Sequence, residues 1–406
     1  MLAPTCFPFQ VPPGAMQRTL VFGDLHLTRE TPEDAVDDVV SVISGHPGTR
    51  LVFVGDLFDL SADQPGVDRR KALAAAWGGQ PRVTRALAEH VDRGGSLWLL
   101  GGNHDEAVGD PDERETSLAA LGVRGGAASR VRTSPWFLRD GGLHVEHGHL
   151  FDPDNAASHP LMLGAKSLGV HFVEEFIAPT GAHRYLNAND AMPLRLLMSA
   201  FAWYGVRGPF VVYKYFDAAF RALFASGPFF REGAPDDCAT QEVAFAEREE
   251  LGVELVRELA TLGAAPTMQS FGATFQRLYL DRVAATLTLA ASAACLATGK
   301  RGAAASLFGV GALAMGASWA LGYDRYGGSV PSLLEEGAAA IRDASGARLV
   351  VMGHAHRECL ADGYANTGSF SFPKDAPGRP FLEIEGATDA PIAARRYFAR
   401  RERTPR

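Results

Sequence analysis

Cysteine is scarce in this sequence, and its spacing is not that of a structural site. The chain of 406 residues holds four cysteines that lie far apart and form no CxxC pair, namely Cys6, Cys238, Cys295 and Cys359. This spacing argues against a disulfide framework and a structural zinc knuckle, and it favours a reducing compartment. The N-terminal residues lack a basic start and carry proline inside their short apolar run, which is not typical of a secretory signal. We therefore expect the folded part to remain in the cytoplasm.

An excess of basic residues is also absent. The formal net charge is −8, which argues against a general nucleic-acid-binding protein. Hydrophobic residues make up 47% of the chain and charged residues 21%, close to globular averages, so neither disorder nor a fibrous repeat is indicated. The length accommodates one domain with an insertion.

Four short β-rich apolar runs predict buried strands, and a polar or glycine-containing motif follows each of them directly. They are Arg18–Phe22, Leu51–Val54, Leu97–Leu100 and Arg348–Met352. Apolar spacing predicts helices over residues 31–44, after a Thr-Pro-Glu-Asp start, and over residues 69–93. The first half is therefore a βαβαβ pattern, which indicates a layered α/β architecture.

The character of the chain changes between residues 155 and 344, where helical patterns dominate. We interpret residues 17–154 and 345–394 as two parts of one domain, residues 155–344 as a helical insertion, and residues 395–406 as a basic tail. Two uncharged runs, 283–299 and 302–323, flank Lys300 and Arg301 and approach the ~20 residues of a membrane-spanning helix. They predict a transmembrane hairpin in which Ala312 and Gly316 permit close helix packing. The alternative is a buried Ala/Gly-rich helical pair.

Residues 193–231 are rich in aromatic and large apolar side chains, with basic residues spaced among them and Asp217 as the single acid. This composition is typical of a helix in the headgroup region of a bilayer, or of the mouth of a lipid-binding cleft. An aromatic-rich buried helix is the alternative. The basic tail at residues 395–406 could contact anionic lipid headgroups or be solvated.

Metal-ligating residue types follow the predicted strands. Asp24 and His26 follow the first strand, and Asp56 follows the second. The third strand leads into Asn103, His104 and Asp105, and three further histidines lie at His147, His354 and His356. Acids at neighbouring strand ends repel one another unless cations lie between them. This mixture of carboxylate, amide and imidazole suits first-row divalent metals, two of which could share a bridging Asp.

Any one of these histidines, taken alone, would more often be a surface residue or a satisfied core residue than a ligand. Five motifs that recur in order at strand ends are not explained in that way. The absence of thiols from the set also argues against a structural zinc site.

The motifs resemble the calcineurin-like metallophosphoesterase superfamily, whose pattern is D-x-H, G-D, G-N-H-[DE], H and G-H-x-H. The resemblance covers roughly residues 18–150 and 345–385, and it implies a four-layer α/β/β/α sandwich with the site above the strand ends. It also implies two divalent metal ions. The first would be held by Asp24, His26 and His356, Asp56 would bridge, and the second would be held by Asn103, His147 and His354. His104, oriented by Asp105, would act near the scissile phosphate.

The resemblance implies metal-dependent hydrolysis of a phosphate ester or pyrophosphate, with manganese as our expectation among Mn, Fe, Zn, Co and Ni. Within the superfamily the chain is most similar to the UDP-2,3-diacylglucosamine pyrophosphatase branch, through motifs such as 55-GDLFD-59 and 353-GHAHR-357. Members of that branch commonly have Arg where this chain has His104.

We expect a lipid or lipid-linked substrate at the cytoplasmic membrane. A soluble nucleotide or phosphoprotein substrate and a non-catalytic scaffold are the alternatives. His149 and Asp152 lie near the site in sequence, and His149 is a possible substrate contact.

Overall fold

The computed structural model describes residues 17–164, 166–186, 193–231, 238–322, 329–373 and 378–398. The predicted absence of a secretory signal falls on residues 1–16, outside the described residues.

Two β-sheets form the centre of the molecule. The first has six strands in the order β11-β10-β1-β2-β3-β4, and β1 to β4 run parallel. Its strands are β1 (Thr19–Phe22), β2 (Arg50–Val54), β3 (Ser96–Leu100), β4 (Val131–Ser134), β10 (Arg379–Ala387) and β11 (Ala390–Phe398). The second has five strands in the order β5-β6-β7-β9-β8, in which β6, β7 and β9 are parallel. They are β5 (Phe137–Asp140), β6 (Leu143–Glu146), β7 (Leu349–Met352), β8 (Glu358–Ala361) and β9 (Tyr364–Thr367).

Alternation along the strands divides the core into three apolar layers. Because successive side chains on a strand point to opposite faces, Val52 and Leu51 enter different clusters. One cluster fills the space between the two sheets, with Val52 and Val145 among its members. The other two join each sheet to its covering helices. The result is the α/β/β/α layering that the sequence motifs imply.

The outer helices begin and end at recognisable signals. The first layer contains α1 (Glu33–Gly45), α2 (Leu60–Asp63), α3 (Arg69–Gly79), α4 (Pro81–Asp92), α5 (Glu106–Gly109) and α6 (Arg114–Leu121). The predicted helix over 69–93 is in fact two helices, because Pro81 lacks a backbone N–H and begins α4. The four predicted strands and the helix over 31–44 are confirmed, with boundaries shifted by one or two residues.

The segment between the two halves of the sheet system is helical. It contains α7 (Leu168–Phe172), a π-helical turn (Val173–Ile177), α8 (Ala178–Thr180), α9 (Pro193–Tyr204), α10 (Gly208–Phe224), α11 (Cys238–Arg248), α12 (Val253–Ala260), α13 (Phe271–Leu278), α14 (Leu280–Ala297) and α15 (Arg301–Gly322). Helix α16 (Ser329–Ser345) then leads into β7. The insertion packs beside the first sheet's loops through Ala62 of α2, which lies in one apolar cluster with Phe176 and Tyr215.

The predicted hairpin forms, but its assignment as transmembrane is not supported. Helices α14 and α15 pack against each other around the turn at Lys300. Within the described residues, no helix is long and apolar enough to span a bilayer.

The close approach of the two hairpin helices also lies elsewhere than predicted. The hydroxyl of Ser292 donates to the carbonyl of Ala304 at 2.8 Å, and a Cβ on Gly311 would lie 2.3 Å from Thr288 Oγ1. Ala312 and Gly316 are exposed instead. The large apolar residues of the hairpin, among them Leu287, Leu313 and Phe308, are likewise exposed.

The aromatic-rich segment 193–231 is not a buried helix. A 3₁₀ turn at Gly205–Arg207 divides it into α9 and α10. Small residues such as Ala218 and Ala222 form the buried face of α10, whereas several aromatic side chains face outward, namely Phe210, Tyr213, Phe216, Phe220 and Phe224.

Strand β11 continues through Phe398, so the first residues of the expected basic tail pair with β10. Arg396 forms an ion pair with Glu383 of β10. Residues 399–406 lie outside the described part of the chain.

Candidate metal centre

The predicted ligands meet where the strands of both sheets end. Strands β1, β2 and β3 are adjacent and parallel, so Asp24, Asp56 and Asn103 leave the same edge of the first sheet. His147 follows β6, and His354 follows its parallel neighbour β7, at the corresponding edge of the second sheet. The topology therefore brings five motifs, spread over more than 300 residues of sequence, to one place.

Three overlapping groups of side chains have metal-site spacing. Within each group the ligand atoms lie within 4.8 Å of one another, and every member is buried. The groups are Asp24, His26 and His356; His26, Asp56 and His104; and Asp56, His147 and His354. The first matches the predicted first-metal set. Asp56 belongs to both of the others, as a bridging carboxylate would.

Asn103 joins the third group through its amide oxygen. Its Oδ1 lies 3.1 Å from Nε2 of His147, which in turn is 3.2 Å from Oδ2 of Asp56. All seven residues predicted as metal ligands are therefore brought together.

The backbone at these ligands is unusual. Asp24, His26, Asp56, His354 and His356 all have positive φ, between 44° and 64°. Glu250 is the one other non-glycine residue of the described chain with positive φ. Left-handed backbone at a non-glycine residue costs on the order of 1 kcal/mol or more and tends to cluster at functional sites. The strain turns the side chains from successive strand ends towards a common centre.

His26 and His147 each make a hydrogen bond with the ring nitrogen that faces away from the cluster, and this leaves their other nitrogen available inside it. Nδ1 of His147 donates to the carbonyl of Val54 at 2.8 Å, and Nδ1 of His26 lies 3.3 Å from Asp59 Oδ2. A neutral histidine that donates from one nitrogen presents a lone pair on the other. Nε2 of His26 faces Nε2 of His356 at 2.9 Å. Two such lone pairs repel each other unless a cation or proton lies between them, so the donor set fits divalent metal ions.

The electrostatics of the cluster also favour cations. Burial alone lowers the pKa of His26 and His147, but the hydrogen bond between His26 and Asp59 and the charge of Asp56 beside His147 outweigh it. Each pKa is thereby raised to about 9. For Asp56, burial raises the pKa, but the nearby His147 and His104 bring it well below its usual value. The metal-free cluster thus stabilises ionised carboxylates by holding protons where metal ions would bind.

His104 contacts a different carboxylate from the one that the sequence suggests. Its Nδ1 lies 3.0 Å from Oγ of Ser61 and 3.3 Å from Oδ1 of Asp59. Asp59 is fully buried, also contacts His26, and accepts from the N–H of Ala62 as the N-cap of α2. The residue that orients His104 is therefore Asp59, which sequence reasoning missed although it belongs to the quoted GDLFD motif.

Asp105 has a structural role instead. Its Oδ1 accepts from the backbone N–H groups of Asp56 and Gly102 at 3.0 and 2.8 Å, and its Oδ2 accepts from Phe58 at 3.0 Å. These bonds tie the loop after β2 to the loop after β3. Burial, followed by the charge of Asp56, raises the pKa of Asp105 to about 7 in the metal-free chain.

Glycine is required where the two loops touch. A Cβ on Gly102 would lie 2.2 Å from Oδ1 of Asp56. Gly55 has φ +84°, and a Cβ there would lie 2.6 Å from the ring of His147. Any side chain at Gly102 would displace the carboxylate of Asp56.

Buried polar residues lie behind the group formed by Asp56, His147 and His354. The sequence predicted only some of them to be near the site. Oδ2 of Asp152 is 2.9 Å from Nε2 of His354 and accepts from Nδ2 of Asn155 at 2.7 Å. Asn155 in turn accepts from Nδ2 of Asn103 at 3.1 Å. Asp152 is near the site as predicted from sequence, whereas Asn155 was missed; its place three residues after Asp152 in a turn was the available signal.

His149 lies beside the second group without being one of its members. Its ring centroid is 5.3 Å from that of His147 and 6.4 Å from that of His354. Burial, followed by the neighbouring His147 and His354, holds its pKa well below the usual value, so it is neutral. Its role as a substrate contact stays a prediction.

Comparison with known proteins agrees with this geometry. Residues 17–197 match the family model for calcineurin-like phosphoesterase. The match contains five of the seven residues in the three groups and ends before His354 and His356, which the fold adds from beyond it. No curated protein matches the chain. Residues 17–197 are therefore similar to calcineurin-like phosphoesterases, and the chain is a metal-dependent phosphoester hydrolase.

Proposed function

We propose that the chain hydrolyses a phosphate ester or pyrophosphate with two divalent metal ions. Asp24, His26 and His356 would hold one ion, and Asn103, His147 and His354 would hold the other. Asp56 would contact both. The observation that carries this proposal is the position of Asp56, which groups with His147 and His354 of the second set and with His26 of the first. Oδ2 of Asp56 lies 3.6 Å from Nε2 of His26. When bound, two such ions polarise phosphoryl oxygens and supply a nucleophilic water.

His104 would act on the leaving group. Its ring packs edge-on against His26 with centroids 5.2 Å apart, and its backbone N–H donates to Asp56 at 3.0 Å. Asp59 and Ser61 contact Nδ1, so Nε2 is the nitrogen that would donate a proton to the leaving oxygen. Asp59 stabilises the imidazolium form that this proton transfer requires.

We further propose that the substrate is a lipid or a lipid-linked molecule, as in the UDP-2,3-diacylglucosamine pyrophosphatase branch. The support is the position of the insertion: Ala62, one residue beyond the Ser61 that contacts His104, packs into the insertion's apolar cluster. An apolar helical region therefore begins beside the proposed leaving-group side of the site. A soluble nucleotide or phosphoprotein is the competing substrate class.

The outer surface of the insertion supports attachment to a bilayer. On α10 five of the six aromatic residues are exposed, Tyr215 being the exception, and most of the buried residues are small, which is the reverse of an ordinary water-facing helix. The hairpin shows the same inversion, with Leu313 at 74% exposure and Ala304 at 2%. Many exposed apolar side chains on one surface are typical of an interaction site. Aromatic and large aliphatic side chains partition into the headgroup boundary of a bilayer.

The charges support a lipid surface, in preference to a second apolar protein face, as the proposed partner of this surface. Lys300 and Arg301 form the exposed turn of the hairpin, and α10 carries Lys214 and Arg221 among its aromatic residues. Asp217 pairs with both of the latter, so α10 keeps a net positive charge. Basic side chains around apolar ones suit anionic headgroups. A hairpin with a basic turn would lie in the plane of the interface, since Lys and Arg are costly in hydrocarbon.

We place the catalytic domain at the cytoplasmic face of that membrane, where Cys295 and Cys359 remain thiols. Manganese is our proposed metal.

Turnover tests the catalytic proposal. Release of phosphate or nucleoside monophosphate would be measured on lipid-linked and soluble phosphoesters in detergent with Mn²⁺, beside His104→Ala and Asp56→Asn. We expect lipid-linked substrates to be preferred, His104→Ala to slow turnover about 10²- to 10⁴-fold with metals retained, and Asp56→Asn to lose metal. Turnover of soluble esters alone would refute the lipid substrate. Turnover without metal would refute the two-metal assignment, and no turnover of any substrate would favour a non-catalytic scaffold.

Vesicle co-sedimentation tests the membrane proposal separately. The double variant Phe220→Ser with Phe224→Ser should reduce binding to vesicles containing anionic lipid, as should Lys300→Glu with Arg301→Glu. Ile392→Ser, which alters an exposed apolar residue of β11, is the matched control and should bind like the unaltered protein. Equal binding by all variants would contradict the proposed surface.

A further inference from the structure

A single carboxylate lies behind two ligands of the proposed second metal. Oδ2 of Asp152 contacts Nε2 of His354 at 2.9 Å and also accepts from Asn155 at 2.7 Å. Asp152 is 3% exposed and Asn155 also 3%, so water does not compete for these bonds. Oδ1 of Asp152 is used as well, since it accepts from the backbone N–H of Asp154 at 3.0 Å.

The direction of each hydrogen bond follows from the chemistry of the groups. An ionised carboxylate only accepts, so Asn155 must turn its NH₂ towards Asp152. Its amide oxygen then faces Asn103 and can only accept, so Asn103 must turn its own NH₂ towards Asn155. The oxygen of Asn103 is left facing His147 at 3.1 Å, on the side of the metal cluster.

The same carboxylate fixes the ring of His354. Because Asp152 accepts a hydrogen from Nε2, a neutral His354 carries its lone pair on Nδ1. Carboxylates and amides that hold metal ligands in this way commonly change metal affinity about 10- to 100-fold when they are removed.

The segment that carries Asp152 and Asn155 is anchored to the insertion. Asp154, between them, accepts from Thr267 at 2.7 Å and from Arg277 of α13 at 2.6 Å. On the other side, a Cβ on Gly169 would lie 2.0 Å from Oδ1 of Asn155, so the start of α7 packs directly on that amide. The turn is thus held between the metal cluster and helices of the insertion.

We propose that Asp152 and Asn155 are positioning residues that orient Asn103 and His354 for the second metal ion. This rests on the proposed two-metal function. Neither residue contacts the ion, and both act through the ligands in front of them. We call the chain of hydrogen bonds from Asp152 to His354, and through Asn155 to Asn103, the relay. Substitutions in the relay should cause loss of one of the two metal ions, which a general loss of stability would not produce.

Metal titration tests the relay without any substrate. Metal-free protein is titrated with Mn²⁺ by calorimetry, and the electron paramagnetic resonance of bound Mn²⁺ distinguishes single ions from coupled pairs. We expect two binding events in the unaltered protein. Asn155→Leu, similar in size but without hydrogen bonds, should weaken the second event about 10- to 100-fold and leave the first unchanged.

Three further variants sharpen the result. Asp152→Ala should weaken the second event more than Asn155→Leu does, because His354 loses its partner and Asn155 loses the carboxylate that fixes its amide. Asp152→Asn, which can keep an oxygen at the Oδ2 position, should retain part of the affinity. Asp38→Asn is the control. It alters a buried acid of α1 that pairs with Arg379 of β10, and it should leave both binding events unchanged.

The outcomes separate the two proposals. Fewer than two ions on the unaltered protein would refute the two-metal function and the relay with it. Two ions on the unaltered protein and an unchanged second event in Asn155→Leu and Asp152→Ala would refute the relay alone. Equal weakening of both events would also refute it.

Discussion

The assignment of Asp59, in place of Asp105, as the partner of His104 can be tested by changing each carboxylate to its amide. In Asp59→Asn the amide oxygen keeps the N-cap bond to Ala62, but the charge beside Nδ1 of His104 is lost. A hydrogen bond to a charged group contributes about 1.5–3 kcal/mol. If that stabilisation is needed while His104 is imidazolium, kcat falls roughly 10- to 150-fold, since about 1.4 kcal/mol is tenfold in rate.

The assay is kcat on a chromogenic phosphodiester at saturating Mn²⁺. Saturation offsets the second effect of Asp59→Asn, which removes the acceptor from Nδ1 of His26 and weakens metal binding. Metal content is measured on the same samples to show that both ions are present.

Asp105→Asn is the matched comparison, and it should affect stability. Its oxygen can still accept from Asp56 and Gly102, but its NH₂ would face the N–H of Phe58. A buried donor without an acceptor costs about 1–3 kcal/mol of unfolding free energy. Urea denaturation measures that loss, and kcat of the folded protein should change less than about tenfold. Unaltered kcat in Asp59→Asn, or a large kcat loss in Asp105→Asn with unaltered unfolding free energy, would refute the reasoning.

Four further predictions concern the cluster and the core. Because the pKa of His26 and of His147 is about 9, Mn²⁺ must displace protons from them at neutral pH, and the affinity for Mn²⁺ should rise from pH 7 to pH 9. Calorimetry in buffers of different ionisation enthalpy measures the proton release. An affinity for Mn²⁺ that does not change with pH would contradict the raised pKa values. The unfolding free energy of the metal-free protein should change with pH in the opposite direction. The stabilisation from these two histidines is complete below their unfolded pKa of about 6.5 and is lost as pH rises through about 9. Urea denaturation in the presence of a chelator measures this loss. Gly102→Ala should displace Asp56, which is proposed to contact both ions, and weaken both binding events in the titration. Leu99→Ala, at a fully buried position of β3, should cost about 2–5 kcal/mol of unfolding free energy while both ions still bind.

Several strands could be read from the sequence because apolar character and a following motif coincide. Strands β1, β2, β3 and β7 are buried along almost their whole length, so their residues are nearly all apolar. Strand β6 has no such signal, because it contains His144 and Glu146. These two are buried against each other at 3.1 Å, a pairing that makes polar residues tolerable inside a sheet and that depends on their mutual position.

The helical insertion shows the limit of local patterns in another way. Its helices and the turn at Lys300 followed from apolar runs and a basic break. The division of residues 193–231 into two helices and the outward direction of the α10 aromatics did not. Composition counts apolar residues, but the face that a helix buries depends on what it packs against.

The sequence by itself identified the candidate metal ligands that the structure brings together, because metal-ligating residue types directly follow buried strands and their motifs resemble those of a known family. Tertiary structure alone decided which carboxylate serves which histidine. Asp105 is adjacent to His104 in the chain, yet its side chain accepts from the backbone of two loops, whereas Asp59 reaches the ring from another strand end. Adjacency in sequence brings side chains close, but hydrogen bonds also need the right direction, and that direction is set by the left-handed turns and the packing of loops between two sheets.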